Sequence, residues 1–176
     1  MRNNTRKLVT AAILGALYAV LTMVLAPISY GPVQLRVSEV MCILPYFLPF
    51  TSWGLFFGCA VANLICGAGL PDIVFGSLAT LISCGFIALC GKKGKGSIES
   101  ELIACLMPVI FNALIVGGVL YYMTLGSLGF LVGDYLLFYA GPVALGEFIV
   151  MLAMGFPLMR KLPKLPFFAE LLTKYD

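Results

Sequence analysis

The stretch MRNNTRKLVTAAILGALYAVLTMVLAP, residues 1–27, places two arginines and a lysine ahead of a run that stays apolar from Leu8 to about Ile28. A secretory signal peptide has the same order of parts, but its apolar region is only ~7–15 residues long and ends at a small-residue cleavage site. This run is longer, and no A-x-A pattern follows it. It is therefore expected to stay in the chain as a first helix, since about 20 mostly apolar residues suffice to cross a bilayer.

The rest of the chain agrees. Of 176 residues, 61% are hydrophobic and 11% charged, against about 25% charged in a soluble domain, and the mean hydropathy is +1.05. The apolar runs are long and continuous, unlike the ~10-residue alternating segments of a membrane barrel. Nineteen glycines and ten prolines suit transmembrane helices, which tolerate both. An all-α integral membrane protein is expected. The six cysteines form no C-x-x-C pair and there is no histidine, so a zinc or redox site is not expected and the thiols read as small buried hydrophobes. The segment GKKGKGS, 91–97, lacks the spacing of a phosphate-binding loop and follows a membrane helix rather than a strand. It reads as a basic linker, and neither ATP, a metal, a cofactor nor nucleic acid is expected to bind the chain.

Candidate spans lie at about 8–28, 38–51, 53–70, 72–91, 101–124 and 141–160, in a single membrane domain covering 1–176. The second is short and interrupted by Pro45 and Pro49, and the stretch 125–140 reads either as a long loop or as an interfacial segment. Lysine and arginine mark the cytoplasmic side of membrane proteins. With six spans, Arg2, Arg6 and Lys7, then Lys92, Lys93 and Lys95, then Arg160, Lys161 and Lys164 all fall on one side, with both termini in the cytoplasm. Arg36 alone of the eleven basic residues is left outside.

Polar groups within apolar spans are costly and usually functional. Asn63, Asn112 and Glu147 are such groups. Gly141-Pro142 reads as a helix start, which puts Glu147 about 7–8 Å inside it. A carboxylate there stays protonated, pairs with Arg36, bonds a neighbouring helix or meets a donor-rich ligand. Gln34, Arg36 and Glu39 lie together in VQLRVSEVMCILP, 33–45, where Arg36 and Glu39 either pair with each other or serve recognition. Asp72 follows Pro71 and suits a helix N-cap as well as a site. Tyr121, Tyr122, Tyr135 and Tyr139 suit an interfacial belt, or stacking on a flat ring. Ala11, Gly15 and Ala19 form one small-residue stripe on the first helix, with Ala12 and Ala16 beside it. Such stripes admit close helix approach, either inside the bundle or at a partner subunit.

The runs GPVQLRVSEVMCILPYFLP (31–49) and GLFFGCAVANLICGAGLPDIVFGSLATLI (54–82) resemble the QueT family, substrate-binding S components of energy-coupling factor transporters. The likeness covers nearly the whole chain through Q-x-R-x-S-E, G-C-x-x-A-N, L-x-D-x-x-F-G-S-x-A-T-L and the late G-E pair. It implies a six-helix S-component bundle that takes substrate from outside into a pocket walled by the later helices and covered by outer loops. It also implies a coupling subunit and two ATPase subunits as partners, with Ala12 and Ala16, flanking Gly15, on the docking face.

The implied cargo is a queuosine precursor, a 7-deazaguanine or the queuine base, and the implied location is a prokaryotic plasma membrane. Gln34, Arg36, Glu39, Asn63, Asp72, Asn112, Tyr139 and Glu147 are the candidate recognition groups. An aminomethyl substituent on the cargo would bring a cation to the acids Glu39, Asp72 and Glu147. An S component for another vitamin or nucleobase is the nearest alternative. A membrane enzyme finds little support, with no histidine and scattered acids, and a purely structural protein has no need of Asn63, Asn112 and Glu147.

Overall fold

The computed structural model describes residues 2–30, 33–94, 96–125 and 132–175, and every regular element among them is helical. Helix α1 is Arg2–Val24. After a single turn at Ala26–Ser29 comes α2, Val37–Tyr46, wound as a 3₁₀ helix, then α3, Thr51–Ile65. Helix α4 covers Asp72–Gly94, its first turn, Asp72–Gly76, opened to π geometry. Helix α5 is Ile98–Leu125. Helix α6 runs through Val132–Lys164 with two π turns, Tyr135–Ala140 and Met151–Gly155. Helix α7 is Pro166–Tyr175.

Among the described residues α1, α4, α5 and α6 are the four helices long and apolar enough to cross a membrane. The expected spans at 38–51 and 53–70 are occupied by shorter helices, Val37–Tyr46 and Thr51–Ile65. Ten 3₁₀ residues rise ~20 Å and fifteen α-helical residues ~22 Å, both short of a ~30 Å hydrocarbon core. The cause is local. Pro45 sits inside α2, where its missing N–H rules out continuous α-helical bonding. Beyond α3 the chain turns through Gly67 and Gly69, at φ 71° and 87°, a backbone region open to glycine and closed to most residues.

The last expected span, 141–160, also changes. Residues 132–140 are already helical and continuous with it, while 126–131 lie outside the described residues. Gly141-Pro142 is thus internal. The turn ahead of the proline is widened, with Gly141 N–H donating to Leu136 O, which makes room for a ring that would collide in a regular α turn.

The two short helices still run between the ends of the bundle. At one end Thr10 Oγ1 lies 2.7 Å from Tyr175 Oη, and the Tyr175 ring packs 5.0 Å from Phe50, so α1, α3 and α7 meet there. Tyr46, closing α2, donates its hydroxyl to Gly94 O at 3.0 Å at the finish of α4. At the opposite, distal end Arg36 reaches Asp72, and Asn63, near the finish of α3, donates to Asp72 O at 3.0 Å. Tyr18, Ile43, Leu55, Ile87 and Met151 form the buried core between the ends.

Helices α1 and α3 touch backbone to backbone. A Cβ on Gly15 would run into the Gly54 carbonyl, one on Gly54 into the Ala11 carbonyl, and one on Gly58 into the Gly15 carbonyl. Gly85 of α4 has nothing within 4 Å of an added Cβ. Gly54→Ala is therefore expected to destabilise the protein by about 1–3 kcal/mol. Gly85→Ala should be neutral or gain about 0.5–1 kcal/mol from its better helix propensity. Thermal denaturation in detergent compares the two; equal effects would contradict the close crossing.

Candidate functional site

The distal end gathers side chains from helices α1 to α6 and from the loop that leads into α2. The strand of loop leading to α2 is held by Leu35 N–H on Ile28 O at 3.0 Å. It lies directly on α6, because Gly146 has no side chain to hold off the Gln34 main chain. This places Gln34 and Arg36, both buried, beside Glu147. Arg36, only 1% exposed, pairs through Nη2 with Asp72 Oδ2 at 3.3 Å and lies over the Tyr30 ring at 5.2 Å. Tyr30 in turn donates to Asn63 Oδ1 at 2.7 Å. Gly76 gives Asp72 and Asn63 room: an added Cβ there would crowd Asp72 Oδ1 at 2.8 Å and Asn63 Nδ2 at 3.1 Å.

Two readings left open by the sequence are decided here. Asp72 does not cap α4, since Pro71 holds the cap position and Asp72 is already within the helix; its carboxylate faces Arg36. Arg36 does not pair with Glu39 either. Glu39, fully buried, takes Tyr18 Oη at 2.5 Å and Thr80 Oγ1 at 3.2 Å on Oε1, and Cys42 Sγ at 3.0 Å on Oε2. Asn112 of α5 donates Nδ2 to Glu147 Oε1 at 3.0 Å, the helix-to-helix bond weighed from the sequence. Glu147 also lies within electrostatic reach of Glu39 and Arg36.

Gln34, Arg36, Glu39, Asn63, Asp72, Asn112 and Glu147 are thus all buried at this end. Tyr139 packs edge-on to Tyr121 at 5.3 Å, in a cluster with Tyr135 and with Ala113, the residue after Asn112, while Tyr122 is 67% exposed. Tyr18, Tyr30 and Thr80 were not singled out in the sequence. Tyr18 faces the core side of α1 together with Ala11 and Ala19, and a hydroxyl on the buried side of a span was the available signal.

Among the described residues, five buried polar atoms on these segments have no hydrogen-bond partner: Ser29 Oγ, Arg36 Nε, Asp72 Oδ1, Asn112 Oδ1 and Glu147 Oε2. Each such atom costs about 1–3 kcal/mol, so their concentration does not serve stability. It suits a small polar ligand that carries donors and an acceptor.

The small-residue stripe divides. Ala11, Gly15 and Ala19 are buried, whereas Ala12 and Ala16 are exposed. The latter two line an apolar groove of 370 Å³ on the α1–α3 face, walled by Trp53, Phe57 and Val61, with Gly15 at its floor.

The model of the family described as QueT transporter matches residues 8–164. Among curated proteins the chain is similar to the queuosine precursor transporter QueT of Lactococcus lactis subsp. cremoris (strain MG1363), with 37% identity over 83 residues. That match covers 46% of this chain and 48% of the relative, so the chain spans about half the length of the curated relative it matches. No solved structure matches.

Removing one partner of a buried ion pair leaves the other charge uncompensated and costs about 3–5 kcal/mol, whereas an apolar replacement of both is far milder. Arg36→Met and Asp72→Leu should each lower thermal stability by that order, and the double variant should recover most of it. Additive losses in the double variant would contradict the pairing.

Proposed function

The chain belongs to the QueT transporter family, and on that premise we propose that it is the substrate-binding S component of an energy-coupling factor transporter. It captures a queuosine precursor, a 7-deazaguanine or the queuine base, from outside the cell for ATP-driven uptake. The observation that carries this reading is the set of unpartnered buried polar atoms at the distal end. Arg36 Nε suits a ring carbonyl. Asp72 Oδ1, Asn112 Oδ1 and Glu147 Oε2 suit N–H donors, and a deazaguanine offers both kinds of edge. The chain itself carries out no chemistry in this reading; ATP hydrolysis belongs to two partner ATPases.

The topology that fits is six crossings in a plasma membrane, with α2 and α3 as shortened ones and both termini in the cytoplasm. Two features support it: α2 and α3 run from end to end of the bundle, and α1 and α7 meet at one end. The distal site then opens outward. The exposed Ala12–Ala16 groove fits a helix of the coupling subunit, because small residues let a partner backbone approach closely where lipid removes any hydrophobic drive.

Binding to purified protein, read by thermal shift across deazaguanines, thiamine, riboflavin and biotin, tests the cargo. A deazaguanine should stabilise the protein; stabilisation by another vitamin alone would reject the assignment. Ala12→Leu and Ala16→Leu should impair assembly with the coupling subunit and leave ligand binding intact. Lost binding with normal assembly would place these residues in the bundle rather than at the partner.

A further inference from the structure

We propose that the groove between the first turns of α1 and the end of α7 holds the phosphate of an anionic lipid, whose acyl chain lies along the outward side of α1. This groove is at the opposite end of the bundle from the polar cluster, and the proposal does not depend on what the cargo is.

Helix α7 is placed for this by its own sequence. Phe168, Leu171, Leu172 and Tyr175 recur at the spacing of one helix face. That face packs on the foot of the bundle: the Phe168 ring stands edge-on to Phe47 at 5.5 Å, and the Tyr175 ring packs 5.0 Å from Phe50. The exposed Lys174 is thereby brought to the start of α1. With Thr5, Arg6, Val9, Thr10 and Tyr175 it lines a groove of 210 Å³.

The groove offers donors and positive charge. An arginine can set two parallel N–H bonds on a phosphate, and a lysine adds a point charge. Thr10 Oγ1 and Tyr175 Oη lie 2.7 Å apart. A hydroxyl carries a single proton, so one of the two donates to the other and the second keeps its proton for an outside acceptor. Among the described residues neither Arg6 nor Lys174 pairs with a carboxylate, whereas Arg160 is paired with Glu101 at 3.8 Å. The two segments carry Arg2, Arg6, Lys7 and Lys174 against Glu170 and Asp176, so positive charge is in surplus; Asp176 lies outside the described residues.

Two sources could supply the phosphate, a lipid or a soluble ester, and the surroundings favour the lipid. Arg6 stands near the start of the span Asn3–Val24, at the level where headgroups flank the hydrocarbon core. Val9 is the apolar member of the lining. From it Ile13, Leu17, Val20 and Val24 follow at steps of three or four residues, which keeps them on one side of the helix, and all five are exposed. At about 1.5 Å per residue this stripe is about 22 Å long, enough for an acyl chain that crosses half of a ~30 Å core. A soluble ester has no use for it.

The test titrates the purified full chain in neutral detergent with phosphatidylglycerol, phosphatidylcholine and glycerol 3-phosphate, and counts bound molecules by native mass spectrometry. Each basic residue near an anionic lipid strengthens attraction about fivefold, so phosphatidylglycerol should bind about tenfold or more tightly than phosphatidylcholine. Arg6→Gln and Lys174→Gln should each reduce that preference about fivefold, and together they should remove it. Both side chains are exposed, so the melting temperature in phosphatidylcholine should stay close to that of the unaltered protein. Lys92→Gln with Lys93→Gln, in the basic cluster that ends α4, should leave the preference in place. Equal losses in the two double variants would show a diffuse attraction to basic residues and overturn the site. Equal affinity of the unaltered protein for the two lipids would overturn it without any variant. Glycerol 3-phosphate bound as tightly as phosphatidylglycerol would overturn the lipid as the occupant.

Discussion

The ion pair between Arg36 and Asp72 organises the distal half of this protein. It lies in a region whose other charges are the two acids Glu39 and Glu147, and both of its partners are almost fully buried. A buried pair adds little net stability over an apolar replacement, because desolvation offsets most of the Coulomb attraction. Its effect here is on geometry. It ties the segment before α2 to the first turn of α4, and Asn63 joins α3 to that turn through the Asp72 carbonyl. Helices of unequal length thereby end at one level, and the carboxylates of the site are held in separate positions.

The winding of α2 lines up with that pair. A 3₁₀ helix has about three residues per turn, so side chains three apart lie one above the other. Arg36, Glu39 and Cys42 therefore follow one line into the bundle, and Cys42 completes the donor set of Glu39. The tighter winding also rises more per residue, and the side chains of Arg36 and Tyr46 at its two ends carry the reach on to Asp72 and Gly94 of α4. Glycines complete the arrangement. Gly15, Gly54 and Gly58 bring α1 onto α3, and Gly146 lets the loop that carries Gln34 lie against α6. Each is a place where main chain meets main chain and any side chain would separate the elements.

Much of this was legible from residue types alone. A carboxylate or carboxamide within a span is expensive unless it is used, which singled out Asn63, Asn112 and Glu147, and the structure brings all three to the distal end. The uneven distribution of lysine and arginine isolated Arg36. Tyr139 was placed with them because an aromatic ring near the boundary suits a flat ligand, and the structure sets its ring edge-on to Tyr121. Tyr18 and Thr80 were missed because a single hydroxyl carries little cost until its partner is known, and Glu39 lies 21 and 41 residues away from them. Helix ends were misjudged where proline was treated as a boundary. At Pro142 a widened turn absorbs the ring, and the helix already includes Val132.

By itself, then, the sequence determined the solvent this chain folds in, the residues too polar to be there without a purpose, and the family to which it belongs. These depend on composition and order, which local free energies of transfer translate directly into structure. Only the tertiary structure decided which acid meets Arg36, that Ala12 and Ala16 face outward while Gly15 turns in, and that Glu147 keeps an oxygen without a donor among the described residues. Those outcomes depend on distances between residues tens of positions apart. In a bundle held by main-chain contacts and a few buried polar bonds, no stretch of sequence contains both partners.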